Sequence, residues 1–497
     1  MINIRSVTWM LNSDYGEKEF EIIENVNLKF DNSEFFVRTK RATLPCTSEP
    51  LNFKNIDYLN SLCLNHDIRW FNIPIIPSNN KKIWQFAYNV LKNYEQSFIN
   101  ILAVQNGKVN YDVLNESLKL IKKTSNISIN GKDNFRLGLS VNVKENCPFF
   151  PFSVSDGKFG FSIALELTQE INMIIQNNSK LNLNELRANI INTLYPQIKK
   201  IEELANEEAL KYNIEFKGFD FSLAPIIDDN NNGSIITILN YLGVNDFSKS
   251  GTLFATAYLT NILKYFASEF KSVGFSGVMY SLLEDTNLCK INNETGVDIE
   301  DLIKLSTMCG CGIDMIPISC DENDNNIKST FMDVIAISTR LNKPLGIRIL
   351  PIPRAKKGVL HYTNFNGDAD FISNTKVLTL ATNERRNNMK VLELLEEIEE
   401  IVDTASGFPL TGKIMIDADE LLEIVKEIRT ELPEEIVKKY DPELVETIKS
   451  EEEKAMKDML QEEQQLTTTD TSQQVKSSSK TSSLAAGILA PLLKNKK

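Results

Sequence analysis

The segment Phe331–Leu350, FMDVIAISTRLNKPLGIRIL, predicts a helix followed at once by a strand. Apolar residues recur at helical spacing as far as Leu341, and the run Leu345–Leu350 reads as a short apolar strand. Similar helix-length and strand-length segments alternate along the N-terminal part of the chain. This alternation favours an α/β fold with a buried, largely parallel sheet.

The other elements follow from the same patterns. The N-terminus reads as a strand, and further short apolar strands are expected at Val37–Leu44, Leu137–Val143, Phe159–Leu165 and Gly218–Leu223. Helix-length segments span Lys82–Val104, Asn184–Tyr212 and Gly251–Phe270.

Composition limits the class of protein. The chain has 497 residues, of which 42% are hydrophobic, so it can bury a large core. We expect a cytoplasmic protein, because no apolar stretch is long enough for a membrane helix and the N-terminus lacks the layout of a signal peptide. The seven cysteines are scattered and odd in number, which argues against a secreted disulfide framework.

Charge gives no reason to expect nucleic acid as a partner. The net charge is −13, and most of the acidic excess lies between Met389 and Leu466. A nearly neutral body with an acidic helical region lacks the basic surface that nucleic acid needs. The sequence assigns no cofactor.

The domain organisation follows from shifts in composition. We expect an α/β domain at residues 1–380, an acidic helical domain at 389–465 and a disordered linker at 466–483, which is rich in Ser, Thr and Gln. Residues 484–497 form an apolar end-piece on that linker. We expect the acidic helical domain to bind a protein partner or to associate with a second copy of the chain.

The end-piece has three interpretations, which the sequence leaves open: a frayed terminus, a docking peptide for a partner groove or protein shell, and a membrane-surface anchor. The docking interpretation would place the protein inside or on a protein assembly. It assigns partner binding to the apolar residues Leu484, Ile488, Leu489, Leu492 and Leu493.

The densest cluster for chemistry is Cys309-Gly-Cys-Gly-Ile-Asp314. Two thiols one residue apart share one face of a strand, whereas in a loop they could bind a soft metal or form a redox pair. The alternative is a helix-to-strand turn filled by small buried residues. Cys309 and Asp314 are candidate catalytic residues.

A second candidate is the segment Gly218–Pro225, GFDFSLAP. Asp220 and Ser222 share one face of the expected strand, near its carboxyl end, where barrel enzymes place reactive groups. Asp220 is therefore a catalytic candidate and Ser222 a substrate-binding one. The alternative is that both side chains cap loop amides.

Two further features concern charged side chains. The adjacent carboxylates Glu284 and Asp285 could bind a divalent cation, or they could simply begin a helix. Arg348 lies inside an apolar strand, and Arg38 and Arg41 lie near the end of another. Such arginines could clamp a carboxylate or phosphate of a substrate, or could form structural ion pairs.

An ordered set of motifs over residues 1–375 resembles the family catalogued as domain of unknown function 711. The blocks are Asn3–Thr8, Val37–Arg41, Cys147–Pro151, Phe161–Glu166, Gly218–Pro225, Gly274–Gly277, Cys309–Asp314 and Lys343–Arg348. The resemblance implies a fold similar to pyruvate formate-lyase: a ten-stranded barrel of two half-sheets wrapped by helices, with a central pocket. It does not imply a reaction.

The glycyl-radical loop of such enzymes, Arg-Val-x-Gly-Tyr, has no counterpart in this chain, so we do not expect radical chemistry. Residues 389–435 resemble small clostridial proteins labelled as ATPase-like or cell-division-initiation-like.

Two hypotheses remain at this point. In the first, the pocket binds a small anionic metabolite and the protein is an enzyme, with Glu166 as a further acid–base candidate. In the second, the protein is a binding or cargo protein that the C-terminal end-piece recruits to a larger assembly.

Overall fold

The computed structural model describes residues 1–77, 81–105, 108–109, 111–228, 230–357, 359–365 and 371–380. They belong to a compact unit, Met1–Ala381. The predicted acidic helical domain at 389–465, the linker at 466–483 and the end-piece at 484–497, with its five partner-binding residues, lie outside the described residues.

The described residues form an α/β fold. The strands are β1 (Asn3–Met10), β2 (Lys40–Thr43), β3 (Trp70–Ile75), β4 (Ser97–Gln105), β5 (Lys108–Val109), β6 (Leu137–Val141), β7 (Gly160–Glu166), β8 (Glu215–Asp220), β9 (Gly312–Ser319) and β10 (Leu345–Ile352). The helices are α1 (Glu17–Asp31), α2 (Phe53–Asn65), α3 (Lys81–Asn93), α4 (Tyr111–Thr124), α5 (Thr168–Asn177), α6 (Leu183–Tyr212), α7 (Ile235–Tyr241), α8 (Thr252–Glu269), α9 (Thr286–Glu294), α10 (Ile299–Leu305) and α11 (Asp324–Leu341).

Most expected elements are confirmed, and one is wrong. The segment Lys82–Val104 is helix α3 followed by strand β4, not one helix. Its first half buries residues at helical spacing, and its second half is a mostly apolar run, interrupted by Asn100, that a central strand buries on both faces. A run of this kind cannot be distinguished from a buried helix by periodicity alone.

The strands form one mixed sheet with the order β8-β7-β1-β2-β3-β4-β6-β10-β9, and the two-residue β5 pairs with β4 at its side. Strands β1, β2, β3, β4 and β6 run parallel to one another. Strand β7 is antiparallel to β1, and β10 is antiparallel to β6. The carboxyl ends of β7, β8, β9 and β10 therefore lie at the end of the sheet where the five central strands begin.

A coil segment, residues 272–281, makes contact with both edges of this sheet. Single bridges pair Ser272 with Phe219 and Val278 with Leu223 near edge strand β8, and Ser281 with Asp314 of edge strand β9. Gly277 lies so close to Gly310 that a Cβ atom on Gly277 would be 2.7 Å from the Gly310 Cα atom. The backbones meet here without room for a side chain.

The segment between Cys147 and Ser155 lies buried against the sheet. Its backbone carbonyls accept hydrogen bonds from buried side chains: Asn72 Nδ2 donates to Ser153 O at 2.6 Å, and Thr8 Oγ1 donates to Pro148 O at 3.1 Å. Its Phe152 ring packs on two strand glycines, Gly138 and Gly346. Sheet residues thus satisfy the polar backbone of a loop that would otherwise be costly to bury.

Among the helices of the described residues, none is both long enough and apolar enough to span a bilayer.

Replacing Gly346 with alanine tests the packing of Phe152. The added Cβ atom would lie 2.5 Å from the Phe152 ring, so the ring or strand β10 must shift, and such overpacking costs about 1–3 kcal/mol. We expect the free energy of unfolding, measured by urea denaturation, to fall by that amount. Gly16→Ala is the control for an added methyl group without a clash, because its Cβ atom would meet nothing closer than 3.7 Å; any loss of stability there reports alanine at the N-cap of α1. If the urea denaturation midpoint of Gly346→Ala equals that of the wild-type protein, the Phe152 ring does not pack closely on Gly346.

Candidate functional site

A cavity of about 180 Å³ lies where the central strands begin. Strands β1 to β4, with the residues just before them, supply Arg5, Arg38, Thr39, Arg41, Arg69, Trp70 and Phe98 to its wall. Strands β9 and β10 supply Asp314 and Arg348. The antiparallel junctions of the sheet bring these two groups of strands together at one end.

Two β-bulges direct charged side chains at this end of the sheet. In β1, Ile4 and Ser6 pair with consecutive residues of β7, so Arg5 is the extra residue. In β9, Asp314 and Met315 lie opposite the single residue Arg348, and Met315 has a left-handed backbone with φ of 52°. A bulge interrupts strand alternation and redirects side chains, which explains how Arg5 and Asp314 both reach the cavity.

The pair Arg348–Asp314 is the strongest ion pair in the wall. Arg348 Nε donates to Asp314 Oδ1 at 2.6 Å and its Nη2 donates to Asp314 Oδ2 at 2.8 Å. Both side chains are buried. Burial alone would lower the pKa of Arg348, but Asp314 and Glu284 outweigh that effect and raise it. This two-point geometry fixes the arginine firmly in its charged form.

Glu284 lies between two arginines at longer distances. Its Oε1 is 3.4 Å from Arg348 Nη2, and its Oε2 is 3.7 Å from Arg5 Nη2. Arg5 also donates from Nη1 to the Pro225 carbonyl at 3.1 Å. Burial lowers the pKa of Arg5, and Glu284 partly offsets this. The Glu284 carboxylate therefore partly offsets the positive charges of Arg5 and Arg348, although it is in close contact with neither guanidinium group.

Arg38 is held by a carboxylate outside the wall. Its Nε lies 2.6 Å from Glu166 Oε1, and the other Glu166 oxygen accepts a hydrogen bond of 3.3 Å from Asn3 Nδ2. Glu166 is buried at the carboxyl end of β7, whereas about a third of the Arg38 side chain is exposed. Glu166 thus positions Arg38 at the open side of the cavity.

Arg41 differs from these three arginines. It is buried, its Nε donates to Thr39 Oγ1 at 3.0 Å, and none of the described carboxylates forms an ion pair with it. Its guanidinium lies over the rings of Trp70 at 5.1 Å and Phe150 at 5.4 Å. Burial lowers the pKa of Arg41 to about 9, and nearby Arg5 adds to the effect. The aromatic faces compensate the buried charge only partly.

Aromatic rings form much of the remaining wall. Arg69 lies over Trp70 at 4.4 Å and over Phe371 at 6.0 Å. The other lining rings are Phe98, Phe135, Phe149, Phe150 and Phe152. Several of them pack edge to face; for example, Phe98 and Phe150 have ring centroids 5.2 Å apart. The cavity therefore combines apolar rings with guanidinium edges.

Asp220 and Ser222 do not line this cavity. The Asp220 carboxylate accepts hydrogen bonds from the backbone N–H groups of Ser222, Phe275 and Ser276, at 2.7, 2.7 and 3.2 Å. Burial raises the pKa of Asp220 despite these donors. The Asp220 side chain thus holds residues 275–276 of the coil segment against β8. This agrees with the alternative in which Asp220 caps loop amides. Its catalytic role stays a prediction.

Cys309 and Cys311 lie in the turn between α10 and β9, and neither lines the cavity. Both thiols are buried. A hydrogen bond from the Cys311 thiol lowers the pKa of Cys309, and the same contact raises the pKa of Cys311. Lys343 Nζ donates to the Cys309 carbonyl at 2.5 Å and stabilises the turn. This arrangement agrees with the alternative in which the segment is a helix-to-strand turn filled by small buried residues.

The adjacent carboxylates Glu284 and Asp285 point to different partners. Asp285 accepts hydrogen bonds from Ser234 Oγ at 2.6 Å and Ile235 N at 2.8 Å, and it also caps helix α9. Burial raises the pKa of Asp285. Within the described part of the chain, no group of three or more His, Cys, Asp or Glu side chains is arranged to hold a metal ion.

The cavity thus gathers five of the predicted site residues: Arg38, Arg41, Arg348, Asp314 and Glu284. Sequence reasoning missed Arg5, Arg69, Trp70 and the phenylalanines. Arg5 carries part of the signal that identified Arg348, because it lies within the N-terminal segment that the sequence predicts as a strand. The motif Cys147–Pro151 held the cue for the aromatic wall, because its phenylalanines follow one another in a segment rich in proline.

The fold and the site define a class: an α/β protein with a mixed sheet and an arginine-rich, aromatic-walled cavity. The family can also be stated. A model of the family described as Uncharacterised ACR (DUF711) matches residues 52–366, so the chain belongs to that family. This confirms the resemblance seen in the N-terminal motifs; the likeness of residues 389–435 to other proteins stays a prediction.

Curated relatives carry the name UPF0210 protein. The relative from Pyrobaculum aerophilum is 25% identical over 269 residues, which is 52% of this chain and 58% of the relative. The one from Carboxydothermus hydrogenoformans is 26% identical over 54% of this chain and 60% of its own length. The one from Methanocaldococcus jannaschii is 25% identical, with 54% and 59% covered. The chain spans about three fifths of the length of these relatives.

Cysteine accessibility gives a direct test of the turn that holds Cys309. In the native protein we expect iodoacetamide to label exposed Cys46 and partly exposed Cys320, and to leave Cys309 and Cys311 unmodified, because the two are 1% and 0% exposed. Peptide mass spectrometry after native labelling, and again after denaturation, measures this. Rapid native labelling of Cys309 would contradict the turn and favour a reactive thiol.

Proposed function

We propose that the cavity binds a small anionic metabolite. The observation that carries this proposal is Arg41, a buried guanidinium with which none of the described carboxylates forms an ion pair. Burying a charge without a partner costs several kcal/mol, and a bound anion would offset that cost. The guanidinium of Arg41 lies beside the rings of Trp70 and Phe150, which do not accept its N–H groups as a carboxylate or phosphate would.

The other arginines support the same proposal. Arg348 and Arg38 are fixed in place by Asp314 and Glu166, so their charges are positioned before a ligand enters. If the protein is an enzyme, its acid–base group is Glu284 or Asp314, since these carboxylates face the cavity. Glu284 is the better placed of the two, because both oxygens of Asp314 already accept hydrogen bonds from Arg348.

We also propose that the sheet closes into a barrel similar to that of pyruvate formate-lyase, with the cavity as its central pocket. The bridges from residues 272–281 to both edge strands support closure. The antiparallel junctions at β1–β7 and β6–β10 are where two half-sheets would meet. This fold would explain why the site lies inside the sheet, but it assigns no reaction.

A second candidate function concerns the C-terminal end-piece. Residues 484–493 read LAAGILAPLL and follow a stretch rich in Ser, Thr and Gln. We propose that this apolar peptide docks into a groove of a partner assembly, such as a protein shell, while the α/β unit is the cargo. The two proposals are compatible, because they use different parts of the chain.

Native mass spectrometry of the full-length protein from its own host tests the anion proposal. We expect a bound small-molecule mass that Arg41→Met loses, with an affinity lower by about ten- to a hundredfold, because a hydrogen bond to a charged group contributes about 1.5–3 kcal/mol. Arg340→Met is the control, since Arg340 is exposed on helix α11. A bound mass that Arg41→Met retains undiminished would contradict the proposal.

Truncation after Ser483 tests the docking proposal. We expect the shortened chain to lose its association with a larger assembly in native mass spectrometry, while the small-molecule mass stays bound. As a control, replacing Lys494 and Lys497 with alanine changes the same terminus without removing its apolar residues. If the assembly persists after truncation, the end-piece is not the docking element.

A further inference from the structure

The charges around the cavity do not balance. Five arginines line it, and the carboxylates that face them are Glu284 and Asp314 in the wall and Glu166 behind Arg38. Among the residues that the structure describes, five guanidinium groups against three carboxylates leave an excess of two positive charges. The excess is concentrated on Arg41 and Arg69, because in the described structure neither forms an ion pair with a carboxylate.

These two uncompensated arginines share one aromatic ring. The indole of Trp70 has the guanidinium carbon of Arg41 at 5.1 Å from its centroid and that of Arg69 at 4.4 Å. Stacking on a ring restrains the orientation of each guanidinium and leaves its N–H edge for a ligand. Trp70 therefore contacts both unpaired guanidinium groups.

The two arginines differ in depth. Arg41 is buried at 7% exposure, whereas Arg69 is exposed and also lines a neighbouring surface depression, together with Arg38 and Lys40. In that depression Lys40 is already paired with Asp31 and Asp67, so its charge is balanced. A ligand that neutralises both free arginines must extend from the buried end of the cavity toward its open side.

We propose that the ligand is a small organic dianion, with negative charge bound by Arg41 at depth and by Arg69 at the open side, and with its carbon skeleton against Trp70. This rests on the proposed function, and it names the charge class of the ligand. Two negative charges match the excess of two positive charges, whereas a monoanion would leave one arginine unpaired. Dicarboxylates and phosphate monoesters share this chemistry.

Isothermal titration calorimetry at fixed ionic strength tests the inference on the full-length protein. The probes are succinate, glutarate and isophthalate, each with its monoamide, and glycerol 3-phosphate with its methyl diester. Each pair keeps a similar shape and differs by about one charge. We expect at least one dianion to bind tenfold or more tightly than its monoanionic partner. A preference among the dicarboxylates or for the phosphate monoester identifies which anionic group the cavity takes.

Two variants locate the second charge. Arg69→Met, at an exposed position, should bind the dianion and its monoanionic partner equally well, and Arg41→Met should weaken both; Arg340→Met should change neither. Circular dichroism checks that each variant is folded. If Arg69→Met keeps the full preference, Arg69 does not bind the second charge and the inference is wrong.

The remaining outcomes separate this inference from the proposed function. Equal affinity of the wild-type protein for a dianion and its monoanionic partner would overturn the dianion inference and leave anion binding intact. Binding of none of the probes by folded protein would overturn both.

Discussion

The burial of one loop backbone is the constraint on which the cavity depends. Residues 147–155 enter the interior of the fold, where water cannot satisfy their carbonyl groups, so Asn72, Asn100 and Thr8 donate to them. The same loop places Phe149, Phe150 and Phe152 in the cavity wall. Without polar residues at these strand positions, the loop would be more stable at the surface and the wall would be open.

The arginines show how desolvation and attraction to nearby carboxylates compete in setting the pKa of a buried group. Desolvation lowers the pKa of each of Arg5, Arg41 and Arg348, but only Arg348 has a carboxylate in two-point contact, and only its pKa is raised overall. The cost of burying a charge is thus offset by a carboxylate at Arg348 and not offset by an ion pair at Arg41. Groups with an unmet cost of this kind are concentrated at functional sites, because selection for stability alone would remove them.

Local patterns predicted most of the fold and part of the site. Apolar runs located strands such as β6 and β10, and Arg348 within an apolar strand indicated a buried charge that needs either a carboxylate or an anionic ligand. The boundary between α3 and β4 was missed, because a fully buried strand has no alternation to distinguish it. Arg69 and Trp70 were missed for another reason: their relevance depends on strands distant in sequence that meet in space, which no local pattern encodes.

The position of the site follows from the mixed sheet. In an all-parallel sheet, ligands bind beyond the carboxyl ends of the strands, which made the carboxyl end of β8 and Asp220 attractive as candidates. Here two antiparallel junctions turn β7–β8 and β9–β10 around, so their carboxyl ends lie beside the amino ends of β1 to β4. At that mixed end, bulges at Arg5 and at Asp314–Met315 break the alternation of side chains. The strand directions bring the charged residues to one end of the sheet, and the two bulges orient Arg5 and Asp314 toward the cavity.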